Sequence, residues 1–210
     1  YKKRPYKIAD ILENISEKQK KLIDLIIDAG ELPHNEPSTV IDTTLDDIVT
    51  LRQGDVVISD QLSVTSFSEE NTQNIGKELW QKYEKYAGQR AIIFALEGEM
   101  GAGKTQFTKG LARAMGIKEL ITSPTFSLEE DYKTKDFKFV HMDAWRMING
   151  EELENLGIKG LINDKSVLAI EWADRVAEVI RNHNEEAVIV WIKIFYGKNE
   201  NERNISWGTL

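Results

Sequence analysis

An α/β fold is predicted for this chain, a three-layer sandwich around a mostly parallel, partly antiparallel sheet. Three observations predict it. First, the apolar run Ala91-Ile92-Ile93-Phe94-Ala95-Leu96 leads into a glycine-rich loop and then into a segment with Phe107, Leu111, Ala114 and Met115 at helical spacing. A short continuous apolar run of this kind suits a strand buried on both faces. Second, the alternation repeats: Val167-Leu168-Ala169-Ile170 precedes a helical pattern from Ala173 to Ile180, which precedes a strand from Val188 to Phe195. Strands alternating with helices imply crossovers and a parallel sheet. Third, Phe126–Tyr132 and Phe137–Met142 are joined only by Lys133-Thr134-Lys135-Asp136. So short a connection makes a hairpin, and part of the sheet antiparallel.

The loop is Gly98-Glu99-Met100-Gly101-Ala102-Gly103-Lys104-Thr105, which matches G-x-x-x-x-G-K-[ST], the phosphate-binding loop. Its glycines let the backbone turn so that successive N–H groups face one anion. Lys104 brings a positive charge to the β/γ-phosphates, the Thr105 hydroxyl suits Mg²⁺, and the start of the following helix adds its positive dipole end. Strand, loop and helix in succession are the context the motif needs. The sandwich is therefore expected to be a P-loop NTPase. An N/T-K-x-D element for guanine is absent, and Arg146 stands where D-x-x-G counted from Asp143 needs glycine. ATP is the expected nucleotide.

The remaining elements fall on either side. A basic start (Lys2, Lys3, Arg4) leads to a predicted helix over Ile8–Ile15, a strand over Leu22–Ile27, and a punctuated segment from Gly30 to Pro37. Val40-Ile41 and Val56-Val57-Ile58 are short β-type runs, and the serine-rich stretch Ser59–Ser68 reads as a boundary. A helix is expected over Glu69–Tyr86, with Ile75, Leu79 and Tyr83 on one face. A short helix is expected near Glu151–Leu156 and a last strand near Ile205. The implied division is an α/β remnant at 1–58, a linker at 59–67 and the nucleotide-binding domain at 68–210.

The 210 residues suffice for one domain with a good core and a small second one. A formal net charge of −8 counts against a dominant nucleic-acid surface, since phosphate backbones are held mainly by Lys and Arg. Without cysteine there is no disulfide or thiolate chemistry, in keeping with a cytoplasmic protein. No apolar stretch approaches the ~20 residues of a membrane span. Tyr1 in place of a starting methionine suggests a piece of something longer, or a trimmed form of it.

Hydrolysis needs more than a phosphate loop: water must be positioned and the metal shell completed. Glu171 ends the strand Val167–Ile170, as a Walker B acid facing Mg²⁺ or as a cap on the next helix. Asp143 ends the strand Phe137–Met142, where it aligns water or shares the metal shell. Arg146 reads as a phosphate contact or as the partner of an acid, and the face of His141 is ambiguous. Thr125, in the loop Ser123-Pro124-Thr125-Phe126, is either a switch that senses the γ-phosphate or part of a turn set by Pro124. Trp80, Trp145 and Trp172 read as core residues by default, with base stacking or a partner-facing role as the alternatives.

Taken together, Glu99–Thr105, Ser123–Phe126, His141-Met142-Asp143-Ala144-Trp145-Arg146, Leu156-Gly157, Ile170-Glu171-Trp172 and Ser68-Glu69-Glu70-Asn71-Thr72 resemble the TsaE family. These are small bacterial ATPases that support threonylcarbamoyladenosine (t6A) formation on tRNA. The resemblance spans roughly residues 64–207. It implies that Glu99, Met100, Gly101, Ala102, Gly103, Lys104 and Thr105 hold ATP or ADP, and that Thr105 and Glu171 serve Mg²⁺. Asp143, Lys104 and Thr125 are then catalytic, with Glu69 and Thr72 near the base. It also implies that slow ATP turnover resets a complex of the t6A transferase and its dimerising paralogue (a TsaD/TsaB-type complex), with tRNA engaged indirectly at adenosine 37. Ala144-Trp145 stands where family members commonly have Leu-Tyr.

The first part is similar to the end of a YrdC-type threonylcarbamoyl-adenylate synthase, on Leu25–Gly30, Pro37-Ser38-Thr39-Val40-Ile41-Asp42 and Leu51-Arg52-Gln53-Gly54. That likeness implies a natural fusion, with a fused synthase domain upstream and no synthase activity in this piece. Two other functions compete with an ATPase. One is a binding module gated by nucleotide occupancy alone. The other is a small-molecule kinase, which the arginine content disfavours: between Thr105 and Glu171 only Arg113 and Arg146 occur.

Overall fold

A computed structural model describes residues 7–28, 30, 31, 40–42, 49–52 and 62–210. The chain divides into two units, Tyr1–Val40 with Arg52–Val57, and Ile41–Leu51 with Ile58–Leu210.

In the first unit the helix expected to reach Ile15 stops early. Helix α1 covers Ile8–Leu12 and α2 covers Glu17–Lys20. Ser16 separates them: its hydroxyl accepts from Gln19 N while the Gln19 amide accepts from Ser16 N, a capping box. The strand read over Leu22–Ile27 is absent; among the described residues nothing pairs with it, and Leu22, Leu25 and Ile27 are exposed. An apolar run supplies strand propensity but not the neighbouring ladder that a strand requires. Strand β1 (Val40–Asp42) pairs with β2 (Val49–Arg52) in a two-stranded sheet, most of whose residues fall in the second unit. Readings on Lys2–Arg4, Val56–Ile58, Ser38, Thr39 and most of Gly30–Pro37 lie outside the described residues.

The second unit is built on seven strands: β3 (Leu62–Ser66), β4 (Ala91–Glu97), β5 (Glu129–Lys133), β6 (Lys138–Asp143), β7 (Ser166–Glu171), β8 (Ala187–Tyr196) and β9 (Arg203–Thr209). Their order is β3-β9-β8-β4-β7-β6-β5. The middle four, β8-β4-β7-β6, are parallel. β5 closes one edge antiparallel to β6, and β9 and β3 extend the other through antiparallel pairs. Strand β3 corrects the linker reading, because residues 62–66 belong to the main sheet. Their alternating polar pattern suits an edge strand as well as a linker, and only the pairing of Leu62–Ser66 with Trp207–Arg203 separates the two.

Helices α3 (Glu69–Tyr83) and α4 (Lys104–Ala114) cover one face. Helices α5 (Gly150–Asn155), α6 (Ile158–Leu161) and α7 (Ala177–Arg181) cover the other. A turn of 3₁₀ helix over Ala173–Val176 replaces the first half of the helix expected from Ala173. Alternation along β4 feeds both layers: Ile92, Phe94 and Leu96 pack beneath α3 and α4, whereas Ala91, Ile93 and Ala95 pack on the α5–α7 side. All six are fully buried, which explains an unbroken apolar run where a one-sided strand would alternate. Among the described residues no helix is long and apolar enough to cross a membrane.

The register positions the site. Across the parallel strands Leu96 lies opposite Glu171, and Glu171 opposite Asp143. The ends of β4, β7 and β6 therefore reach the same level at the carboxyl edge of the sheet, where α/β folds place their ligands.

Candidate functional site

The loop after β4 turns through Gly98, Gly101 and Gly103, all at positive φ. At Gly98 a Cβ would sit 2.3 Å from the Ile194 carbonyl oxygen, so close backbone approach to β8 requires glycine there. Gly103 leads into α4 at φ 111°, and no side chain caps the helix. The N-terminal end of an eleven-residue helix thus keeps its first-turn donors and dipole for an anion. Lys104 is buried; its ammonium donates to the carbonyls of Gly98 (2.7 Å) and Glu99 (2.9 Å) and lies 3.7 Å from the centre of the Trp172 ring. Burial pushes the Lys104 pKa below the ordinary lysine value, and the carboxylates of Glu171, Asp143 and Asp174 oppose that shift.

Glu171 is buried at the end of β7, with both oxygens engaged. The Thr105 hydroxyl donates to Oε2 at 3.1 Å, and Oε1 lies 2.9 Å from His141 Nε2. Asp143, buried at the end of β6, accepts at Oδ2 from Ser123 (2.7 Å) and Thr125 (3.0 Å), and at Oδ1 from the backbone N–H of Trp145 (2.8 Å). The Ser123–Phe126 loop is thereby tied to the sheet through its two hydroxyls. Arg146 adds a third tie by donating to the Phe126 carbonyl at 2.6 Å. Of the two readings of Arg146, pairing with an acid is not what this bond shows: it goes to the loop backbone.

These groups line one cleft of about 430 Å³, with Glu69, Met100, Gly101, Lys104, Thr125, Asp143, Glu171 and Trp172 among its walls. Glu69 accepts from Gln106 at 2.9 Å, and Gln106 accepts from Gln73 at 2.8 Å, which joins the first turns of α3 and α4. Thr72 is close to the loop, but its hydroxyl is spent on Ser66 (2.8 Å) and on the Ser68 carbonyl (3.3 Å), and it is buried behind Gly103. Its placement supports the loop from behind and does not offer a hydroxyl to the cleft. Glu99 enters through its carbonyl, and Ala102 is buried. Trp80 is core, packed on Phe137. Trp145 and Trp172 instead pack against each other on the cleft wall, with ring centres 4.3 Å apart and planes tilted by 45°.

Two residues were invisible to motif reading. Tyr196, on β8, donates its hydroxyl to the Met100 carbonyl at 2.7 Å. Arg203, on β9, donates to the Ala102 carbonyl at 3.0 Å and stacks on Tyr196. Together they hold the outward carbonyls of the loop. No sequence signal marks them, since both lie about a hundred residues away and reach the loop only through the β8–β9 hairpin.

The oxygen pair of Thr105 and Glu171 suits a hard divalent cation that takes its other ligands from phosphate and water. Among the described residues no group of three or more His, Cys, Asp or Glu could hold a metal ion by itself. A glycine cradle, an uncapped helix start and a buried lysine fit the phosphates.

The chain is similar to several known proteins. A tRNA threonylcarbamoyladenosine biosynthesis protein TsaE from Bacillus subtilis is 37% identical over 97 residues, 46% of this chain and 60% of that protein. Its namesake from Haemophilus influenzae is 35% identical over 100 residues, 48% of this chain and 63% of that one. The chain thus spans about six tenths of the length of these relatives. The crystal structure of Bacillus subtilis YdiB superposes with a TM-score of 0.48 at 27% identity, over 71% of this chain and 85% of that one. The family model described as threonylcarbamoyl adenosine biosynthesis protein TsaE matches residues 66–205. The chain belongs to the TsaE family.

Proposed function

We propose that this protein binds and slowly hydrolyses ATP with Mg²⁺, and that this turnover supports t6A formation on tRNA by resetting a transferase complex. The observation that carries the reading is the meeting of Lys104, Thr105, Glu171 and Asp143 in one cleft at the carboxyl ends of three adjacent parallel strands. Names of the relatives support the pathway.

In this proposal the glycine loop and the start of α4 hold the phosphates. Lys104 leaves the Gly98 and Glu99 carbonyls for them, and Thr105 with Glu171 holds the cation. When bound, Mg²⁺ withdraws charge from the phosphate oxygens. Asp143, whose carboxylate is held by Ser123, Thr125 and the Trp145 N–H, orients the attacking water and takes its proton. Thr125 links that carboxylate to a loop able to respond to the γ-phosphate. Glu69 faces the cleft from α3, toward the base end.

The deciding experiment measures ADP release by wild type and Lys104→Ala, with and without the transferase and its paralogue. Partner-stimulated release in wild type is expected, and at least a hundredfold less in the variant, because the buried cation is removed from the phosphate cradle. If both proteins release ADP alike and support tRNA modification equally, the proposal fails. Phosphate appearing on an added metabolite would identify a kinase instead.

The strap from β8 and β9 carries its own expectation. Arg203→Ala frees the Ala102 carbonyl and lets the loop sample other turns. ADP affinity by calorimetry should fall about fivefold, equivalent to ~1 kcal/mol for one partly exposed charged hydrogen bond. An unaltered affinity would show that the glycine turns hold the loop without help.

A further inference from the structure

His141 is fully buried, and its Nε2 lies 2.9 Å from Glu171 Oε1. Its Nδ1 is buried and has no hydrogen-bond partner. A buried imidazole with one nitrogen unsatisfied costs stability, so a structural reason alone favours an apolar residue at this position. Three features of the fold aim it instead. His141 sits two residues before Asp143 on β6, so both side chains leave the same face of the sheet as Glu171 on β7. Its register partner on β7 is Ala169, whose methyl leaves room for the ring to reach along the sheet. The carboxylate it meets has its other oxygen on Thr105 at 3.1 Å.

We infer that His141 is a positioning residue for Glu171: Nε2–H donates to Oε1 and fixes the rotation of the carboxylate, so that Oε2 is presented to Thr105. This rests on the reading of Thr105 and Glu171 as the magnesium residues. A carboxylate held at one oxygen by a buried donor cannot swing away when the Thr105 hydroxyl turns to another ligand. It offers a fixed, charged oxygen at the phosphate end of the cleft. Outer partners of this kind govern metal affinity by about 10- to 100-fold without touching the metal.

The test uses two polar substitutions that differ in reach. Gln at position 141 carries an amide N–H about as far from the backbone as Nε2; Asn does not. The measured quantity is the ratio of affinities for a fluorescent, non-hydrolysable ATP analogue with saturating Mg²⁺ and with EDTA, together with the Mg²⁺ concentration at half effect. His141→Asn should raise that concentration about tenfold or more and lower the ratio, whereas His141→Gln stays within about threefold of wild type. Thermal melts without ligand confirm that both variants fold. Equal Mg²⁺ responses in wild type, Asn and Gln proteins would overturn the inference, as would equal losses in Asn and Gln. Glu171→Gln separates this failure from failure of the parent reading: if that variant responds to Mg²⁺ as wild type does, Glu171 does not serve the cation and the parent reading falls.

Discussion

Asp143→Asn is expected to lower the single-turnover rate of ATP hydrolysis at least a hundredfold while the protein still binds nucleotide. The carboxylate is buried at the end of β6 and accepts three hydrogen bonds, from Ser123, Thr125 and the Trp145 N–H. Asparagine keeps the shape but loses the charge and turns one acceptor into a donor. If its carbonyl stays on the Trp145 N–H, the amide faces two hydroxyls that must then turn round to accept. A positioned base contributes about 10²- to 10⁴-fold to a proton transfer. The phosphate cradle belongs to β4 and α4, so binding of a fluorescent ATP analogue should persist. A variant with wild-type turnover would reduce Asp143 to an anchor for the Ser123–Phe126 loop and move the proton-accepting role elsewhere in the cleft.

Gly110→Ala is expected to destabilise the protein by about 3 kcal/mol. Intrinsic helix propensity predicts the opposite sign, a gain of about 1 kcal/mol for Gly to Ala in a helix interior. Packing decides the matter. A Cβ on Gly110 would lie 2.0 Å from the Gln73 carbonyl oxygen in α3, and a Cβ on Gly76 would lie 2.4 Å from the Phe107 carbonyl oxygen in α4. The two glycines thus sit where the helices cross backbone to backbone, and neither contact can be relieved by rotating a side chain. Separating the helices would also loosen the Gln73–Gln106–Glu69 chain beside the phosphate loop. Thermal melting checks the sign: a Tm lowered by roughly 6–12 °C is expected, and a raised Tm would mean that α3 and α4 are not in this close contact.

The elements legible in the sequence are those whose signal is local. The strand at Ala91–Leu96 is an apolar run bounded by turns, and α4 follows a glycine loop with a fixed spacing. The hairpin between β5 and β6 is announced by a four-residue connection. The failures share a cause. Leu22–Ile27 has the composition of a strand but no ladder among the described residues, and Leu62–Ser66 has the composition of a linker but pairs with β9. Pairing is a property of two segments, and neither segment alone contains it. The family likeness implied a place near the base for Thr72; its hydroxyl is used by Ser66 and Ser68, a distribution that no motif encodes.

The candidate site divides along the same line. Residue order was enough to single out Gly98–Thr105, Asp143 and Glu171 as candidates, because a glycine loop after a strand and acids at strand ends are local patterns. Which of those groups meet, and what holds them, depends on register and layer order. The alignment of Asp143 and Glu171 at one level comes from the β6–β7 ladder. The contact of His141 with Glu171 comes from the small residue opposite it, and the hold of Tyr196 and Arg203 on the loop comes from the β8–β9 hairpin, whose first strand pairs with β4. These contacts join residues up to about a hundred positions apart, and hydrogen bonds act over a few ångströms. Their partners are therefore defined only once the chain has closed those distances.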